Sequence, residues 1–232
     1  MSKLNIPKFK KYFKLGTKIT DHPKLNSQKL KSKKWQLLFS PNRHPIKGTE
    51  YGSILQAKQK LKNFYGCPND KQFTNNFIKA GGYKGNQTIN FIKFMERRLD
   101  IFLFRSKISP SLREIRQIIQ HGHVLVNGSI IKKPSFLLEK QDIVKIKIPS
   151  INFVKNKSST YISNVVNNTQ SKNELGQIIK EQPILFTPNY IEFNYYLMEG
   201  QLIDIPDVES ISYPFNPDLT SLMEYYNHKK IK

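Results

Sequence analysis

From residue 111 to 131 the chain reads SLREIRQIIQHGHVLVNGSII, and few folds accept that order of residue types. Leu112, Ile115, Ile118 and Ile119 share one face of a helix, while Arg113, Arg116, Gln117 and Gln120 share another. Ser111 is placed to cap the helix, with Glu114 three residues on to complete a capping box. Gly122 accepts the left-handed conformation that closes a helix. Val124-Leu125-Val126 then reads as a strand. Asn127-Gly128 suits a two-residue type I′ turn, whose central residues both take positive φ. Ser129-Ile130-Ile131 returns. The expected unit is therefore a helix with an apolar inside and a double-arginine outside, held at a fixed angle by a short hairpin.

Helical periodicity dominates the region before this unit. Residues 50–65 keep Ile54, Leu55, Lys58, Leu61 and Phe64/Tyr65 on one face, and Gly66 with Pro68 stops the helix. Residues 70–80 repeat the pattern with Phe73, Phe77 and Ile78 and end at Gly81-Gly82. Residues 87–105 read as the longest helix, its buried stripe marked by Phe91, Ile92, Met95, Leu99, Phe102 and Leu103. After the hairpin, IVKIKI at 143–148 alternates as a half-buried strand does. Residues 150–173 are rich in Asn, Ser, Thr and Lys, and 171–180 could form a short helix. Strand-like runs resume at Leu185, and LTSLMEYY at 219–226 reads as a final helix.

Charge then narrows the partner. The 232 residues carry a net charge of +21, which points to a polyanion. Residues 1–65 hold 15 Lys and one Arg against Asp21 and Glu50, whereas 181–232 hold three Lys against eight acids. The first 48 residues contain Pro7, Pro23, Pro41 and Pro45 among lysines and lack periodicity, so they read as a basic extended arm ordered by a partner. The single cysteine, Cys67, excludes an internal disulfide and a cysteine-based zinc site. No apolar run approaches the ~18 residues that a membrane span needs. Of the 38 cations, 32 are Lys, and Asn, Ile, Phe and Tyr are also abundant. All have A/T-rich codons, the mark of an organellar or very A/T-rich genome. The start, MSKLNIPKFKKYFKLG, has no arginine and reads as mature protein rather than an import peptide.

One stretch carries a specific family likeness. ERRLDIFLFRSKISPSLREIRQIIQHGHVLVNGSIIKKPSFLLEKQDIVKIKI, at 96–148, resembles the RNA-binding domain named after small-subunit ribosomal protein four. The matching positions are Arg98-Leu99-Asp100, Ser111, Arg113, Ile119 and Gly122 through Gly128. The flanks extend the likeness: KQKLKNFYG at 58–66 and KFKKYFKLG at 8–16 are similar to the ribosomal protein's preceding helix and basic start. MEGQL at 198–202 and LTSLMEYY resemble its C-terminal strand and last helix. Two departures are the missing zinc cysteines of some bacterial members and the Asn-rich segment at 149–184, which hardly matches.

The resemblance implies an α+β protein. It has a helical N-terminal domain completed by the C-terminal segment, and a small RNA-binding domain of helices packed on a short twisted β-sheet. The expected divisions are 1–48, arm; 49–95, helical domain; 96–149, RNA-binding domain; 150–183, insertion or linker; and 184–232, C-terminal strands and helix. The RNA-facing residues would be Lys8, Lys10, Lys11, Lys14, Lys58, Lys62, Arg97, Arg98, Ser111, Arg113 and Arg116. Gln117, Gln120, His121, Gly122, His123, Asn127, Gly128 and Lys132 complete that set. His121 and His123 are expected to touch phosphates or bases. A metal would need further ligands, and His22, His44 and His228 are remote in sequence.

No metal, cofactor, small-molecule substrate or membrane is expected. The implied partners are small-subunit rRNA, neighbouring small-subunit ribosomal proteins, and mRNA where it enters the subunit. The implied place is an organellar ribosome, in the mitochondrion, with the plastid as alternative. The rival readings are a stand-alone RNA-binding or ribosome-rescue factor and a pseudouridine synthase. The synthase reading rests on Arg98-Leu99-Asp100, which resembles that enzyme's catalytic motif. In the enzyme, however, the motif lies in a large domain after the RNA-binding module. Here it stands at the module's start, and only 84 residues (232 − 148) follow the module.

Overall fold

The computed structural model describes Leu15, Ile19 and residues 49–66, 69–109, 111–147, 188–195 and 197–228. Lys8, Lys10, Lys11 and Lys14, the basic arm apart from Leu15 and Ile19, the 150–183 segment and the helix expected at 171–180 lie outside the described residues. The described residues fall into two compact units: those up to Phe91 together with those from Tyr213 onward, and Ile92–Ser212. They contain six α-helices and one antiparallel sheet of five strands.

The first unit is helical. Helix α1 (Glu50–Phe64) starts at Thr49, whose hydroxyl accepts the Gly52 N–H at 3.2 Å. Its inner stripe is Ile54, Ala57, Lys58, Leu61 and Phe64. Helix α2 (Asp70–Gly81) turns Phe73, Phe77 and Ala80 inward, whereas Ile78 is exposed. Helix α6 (Leu219–His228) packs against α1. Aromatic rings fill the centre. Phe77 stacks on Tyr226 at 4.0 Å between centroids, and Phe91 meets both Phe73 and Phe77 edge-on or tilted. Such pairs add to what their burial already contributes. Leu15 and Ile19, within the stretch read as an arm, are also buried. That stretch therefore carries at least two apolar anchors.

The second unit corrects the reading of 87–105 as one helix. Helix α3 (Gln87–Glu96) ends, and α4 (Leu99–Arg105) begins after Arg97-Arg98. The break is made by backbone arriving from 134–138. Leu99 N–H donates to Phe136 C=O at 2.8 Å, Asp100 N–H to Pro134 C=O at 3.1 Å, and Leu138 N–H to Arg97 C=O at 2.8 Å. Groups that a continuous helix would pair internally are paired here across the fold. Helix α4 is short and almost wholly buried, and α5 (Leu112–Gln120) lies against it.

The sheet has the order β2-β1-β3-β5-β4. Its strands are β1 (Val124–Val126), β2 (Ser129–Ile130), β3 (Ile143–Ile146), β4 (Ile191–Asn194) and β5 (Glu199–Leu202). Val124 pairs with Ile146 and Val126 with Val144, and all four are buried. Leu125, Lys145, Glu199 and Gln201 lie on the opposite face. Residues 188–212 thus belong with this sheet, and 213–228 with the helical unit. The C-terminal segment is shared between the two.

A buried ionic clasp ties the second unit together. Glu96 is 1% exposed. It accepts from Arg105 Nε at 3.1 Å, Arg105 Nη2 at 2.8 Å and the Tyr190 hydroxyl at 2.9 Å. Arg105 also donates to the Ser212 carbonyl. A buried carboxylate is tolerable only with such full compensation.

Candidate nucleic-acid interface

Helix α5 closes at His121, and Gly122 takes φ +76° as a left-handed turn requires. A Cβ at Gly122 would stand 3.4 Å from Ile130 Cγ2 and 3.4 Å from Lys132 Cε, so the lysine stem runs over the glycine. Asn127 (φ +48°) and Gly128 (φ +82°) form the expected turn. The Asn127 amide donates to Asp142 at 2.8 Å, and its carbonyl accepts the Ile143 N–H at 2.9 Å. Asp142 in turn accepts the Glu139 N–H at 2.7 Å. These bonds fix the hairpin to β3. They give the Asn127 side chain a structural role, and the residue remains exposed.

What this frame presents outward is polar and in part cationic. Arg113, Gln117 and Gln120 are exposed on α5, His121 is exposed beyond it, and His123 is half-buried. The two imidazoles lie 6.0 Å apart. Lys132, over Gly122, and Lys133 are exposed. Lys147, also exposed, donates its backbone N–H to the His123 carbonyl at 2.8 Å. Lys133 and Lys147 were missing from the residues expected from sequence. The alternation of IVKIKI was the available signal for Lys147. Ser111 is the N-cap residue but makes no side-chain cap. Glu114 instead accepts from the Ser109 hydroxyl at 2.6 Å, so the expected capping box is replaced by a bond to a serine two residues earlier.

Several other expected contacts are drawn inward. Lys58 is 2% exposed. Its ammonium reaches the Tyr225 hydroxyl at 3.1 Å and Asp70 at 3.4 Å, which corrects its placement on an RNA face. Lys62 pairs with Asp70 at 2.6 Å. That bond, together with the nearby Lys58 charge, holds the Asp70 carboxyl below its usual range against a partial desolvation. Arg97 Nε donates to the Leu138 carbonyl at 2.9 Å.

Arg98 is likewise corrected, being buried and bound to Asp100 through Nε at 3.1 Å and Nη2 at 2.9 Å. Arg116 joins the same carboxylate at 2.7 Å with its side chain 19% exposed. Asp100 itself has no exposed surface. The outer face of α5 is thus carried by Arg113, while Arg116 is tied to the core. Among the described residues there is no group of three or more His, Cys, Asp or Glu side chains that could hold a metal. No described helix is long and apolar enough to cross a membrane.

The helix closed by glycine on an Asn-Gly hairpin, with cations outward, lies within a stretch that matches a known domain family. Residues 97–144 match the family described as S4 domain, and residues 3–96 match the ribosomal protein S4/S9 N-terminal domain. The small ribosomal subunit protein uS4 of Rickettsia bellii (strain OSU 85-389) is 32% identical over 193 residues, which are 82% of this chain and 84% of that protein. The uS4m protein of Reclinomonas americana is 34% identical over 176 residues, covering 76% of this chain and 65% of that protein. The uS4 of Granulibacter bethesdensis is 31% identical, with 82% and 84% covered. The chain belongs to the small ribosomal subunit protein uS4 family.

Proposed function

We propose that the protein is a structural constituent of an organellar small ribosomal subunit that binds small-subunit rRNA through α5 and the following hairpin. The observation that carries this reading is the surface of the cations Arg113, Lys132, Lys133 and Lys147, together with His121 and His123, on a chain with a domain of this family. Guanidinium and ammonium groups on a rigid mount suit phosphate contacts, which set register on an RNA without reading its sequence. The net charge of +21 favours the same partner. On this reading the protein joins the rRNA early, nucleates the body of the subunit and lies beside neighbouring ribosomal proteins and the incoming mRNA. The Reclinomonas relative favours the mitochondrion, and the A/T-biased composition favours an organellar genome.

The role is non-catalytic on this reading. A catalytic aspartate must reach its substrate, whereas Asp100 is 0% exposed and engaged by two arginines. That weighs against the synthase reading. The match over residues 3–96 weighs against a stand-alone S4-domain factor. Sedimentation of an epitope-tagged chain from fractionated organelles tests the proposal. The tag should travel with the small subunit, and ultraviolet crosslinks should join the α5–hairpin face to its rRNA. A tag found only in free fractions, or crosslinked only to tRNA, would overturn it.

A further inference from the structure

The turn between α2 and α3 has no assigned role, yet it is built like a mount. Gly82 N–H returns to the Lys79 carbonyl at 3.2 Å and Tyr83 N–H to the Ala80 carbonyl at 3.3 Å. One side-chain amide, from Asn90, then donates to both the Tyr83 and Lys84 carbonyls, each at 3.2 Å. Gly85 takes φ +106°, which a side chain would resist. Asn86 accepts the Thr88 N–H at 2.9 Å, and Gln87 donates to the Phe77 carbonyl at 3.0 Å. The backbone on both sides is therefore tied down. The Tyr83 side chain is not: the residue is 57% exposed.

An isolated exposed aromatic needs no explanation. This one stands on a pinned turn within a stretch of one charge sign. Between Asp70 and Glu96 there is no acidic residue, while Lys71, Lys79, Lys84 and Lys93 are all present. Lys93 pairs with Asp207, but Lys79 and Lys84 are exposed beside Tyr83 in sequence. A flat ring flanked by ammonium groups suits a single-stranded nucleic acid, whose bases stack on aromatics while cations follow the backbone. A rigid mount lowers the ordering cost of that contact. We propose that the Tyr83–Lys84 turn is a second RNA contact, at which Tyr83 stacks on an unpaired base and Lys79 and Lys84 meet the adjoining phosphates. The proposal rests on the rRNA-binding reading above and adds to it a site outside the S4 domain.

The test is a titration of the full-length protein with a transcript of the small-subunit rRNA at several salt concentrations. Loss of one stacked base in Tyr83→Ala should weaken binding about 5- to 150-fold and leave the salt slope unchanged. Tyr83→Phe keeps the ring and should bind within about twofold of the native chain. Tyr83→Leu keeps an apolar side chain without a π-face and should behave as Tyr83→Ala. It also serves if the alanine variant melts early. Lys84→Ala should lower the slope of log affinity against log salt by roughly 0.7, the value for one single-strand phosphate. Native affinity in both Tyr83→Ala and Tyr83→Leu, alongside weakened binding in Arg113→Ala, would overturn this contact and leave the S4-domain interface standing. Native rRNA affinity with impaired uptake into subunits would mark Tyr83 as facing a protein and would also overturn it. A native chain that does not bind the transcript at all would overturn both readings.

Discussion

Asp100 shows how one buried charge decides what its neighbours can do. Its carboxylate has no exposed surface and accepts bonds from Arg98 and Arg116. Removing the acid in Asp100→Ala takes away the buried carboxylate that Arg98 and Arg116 both bind, and a urea melt should register a loss of about 3–5 kcal/mol. Arg116→Ala leaves Arg98 in place and should cost about 1–3 kcal/mol, the worth of hydrogen bonds to a charged group. Arg113→Ala lies one turn of the same face away but is exposed, so its cost should stay within about 0.5 kcal/mol. Equal melts for Arg113→Ala and Arg116→Ala would contradict this division. Sequence pattern set the two arginines together because both lie on the polar side of α5. Only the fold separates them, because the acid that captures Arg116 stands 16 residues away on another helix. Lys58 taught the reverse lesson. Its place in the apolar stripe of α1 pointed inward, and its charge obscured that pointer. A long lysine can bury its stem when its ammonium finds partners, here Tyr225 and Asp70.

Elements were legible where their evidence was local. The α5–glycine–hairpin unit follows from residues within twenty positions of one another, and its turn residues take the positive φ that Asn and Gly were expected to supply. The α3–α4 break was not legible, because Phe91, Ile92, Met95, Leu99 and Phe102 stay apolar in helical register across it. The cause is backbone from 134–138, a tertiary event that leaves no periodic trace. The pairing of β5 with β3 likewise joins Val144 to Gly200 across more than fifty residues. Gly200 has a local reason: a Cβ there would collide with the Phe193 ring and the Glu192 carbonyl. Gly200→Ala should therefore cost about 1–3 kcal/mol by overpacking, and near-native stability in a melt would show that β4 can shift at little cost.

Helix α6 supplies a pH test. Asp218 accepts the Ser221 hydroxyl at 2.6 Å and the Ser221 N–H at 3.0 Å. The Ser221 hydroxyl bond, then the backbone bond, holds its carboxyl below the ordinary value of 3.8. The folded pKa is depressed, so the cap's contribution is present above that ordinary value and is lost as pH falls through the lower folded one. Asp218→Ala should cost about 1 kcal/mol at neutral pH. The gap to the native protein should close in acid. A gap that stays the same at every pH, in acid as at neutrality, would mean that the charge is not what stabilises the cap.

Across the whole molecule, charge is distributed by role. The first 65 residues are strongly basic and the last 52 are net acidic. The described cations near α1 and the α3–α4 junction are largely engaged within the protein, as is Arg116 of α5, while Arg113, Lys132, Lys133 and Lys147 are exposed. The family fold was readable from the S4-domain motif and its flanks. Which cations stay exposed was less readable, because a cation's burial depends on acids brought in by the fold. The central claim is that the α5–hairpin face binds rRNA chiefly through phosphates. A filter-binding titration of small-subunit rRNA tests it most directly, using the native protein, Arg113→Ala, Lys132→Ala and Lys147→Ala. If 6–10 phosphates are met, native affinity should fall by roughly 10³–10⁵ between about 50 and 200 mM salt, on the duplex scale. Each variant should bind more weakly at low salt, with a slope smaller by roughly 0.7–0.9. Affinity that scarcely responds to salt, or three variants that keep both native affinity and native slope, would contradict the account.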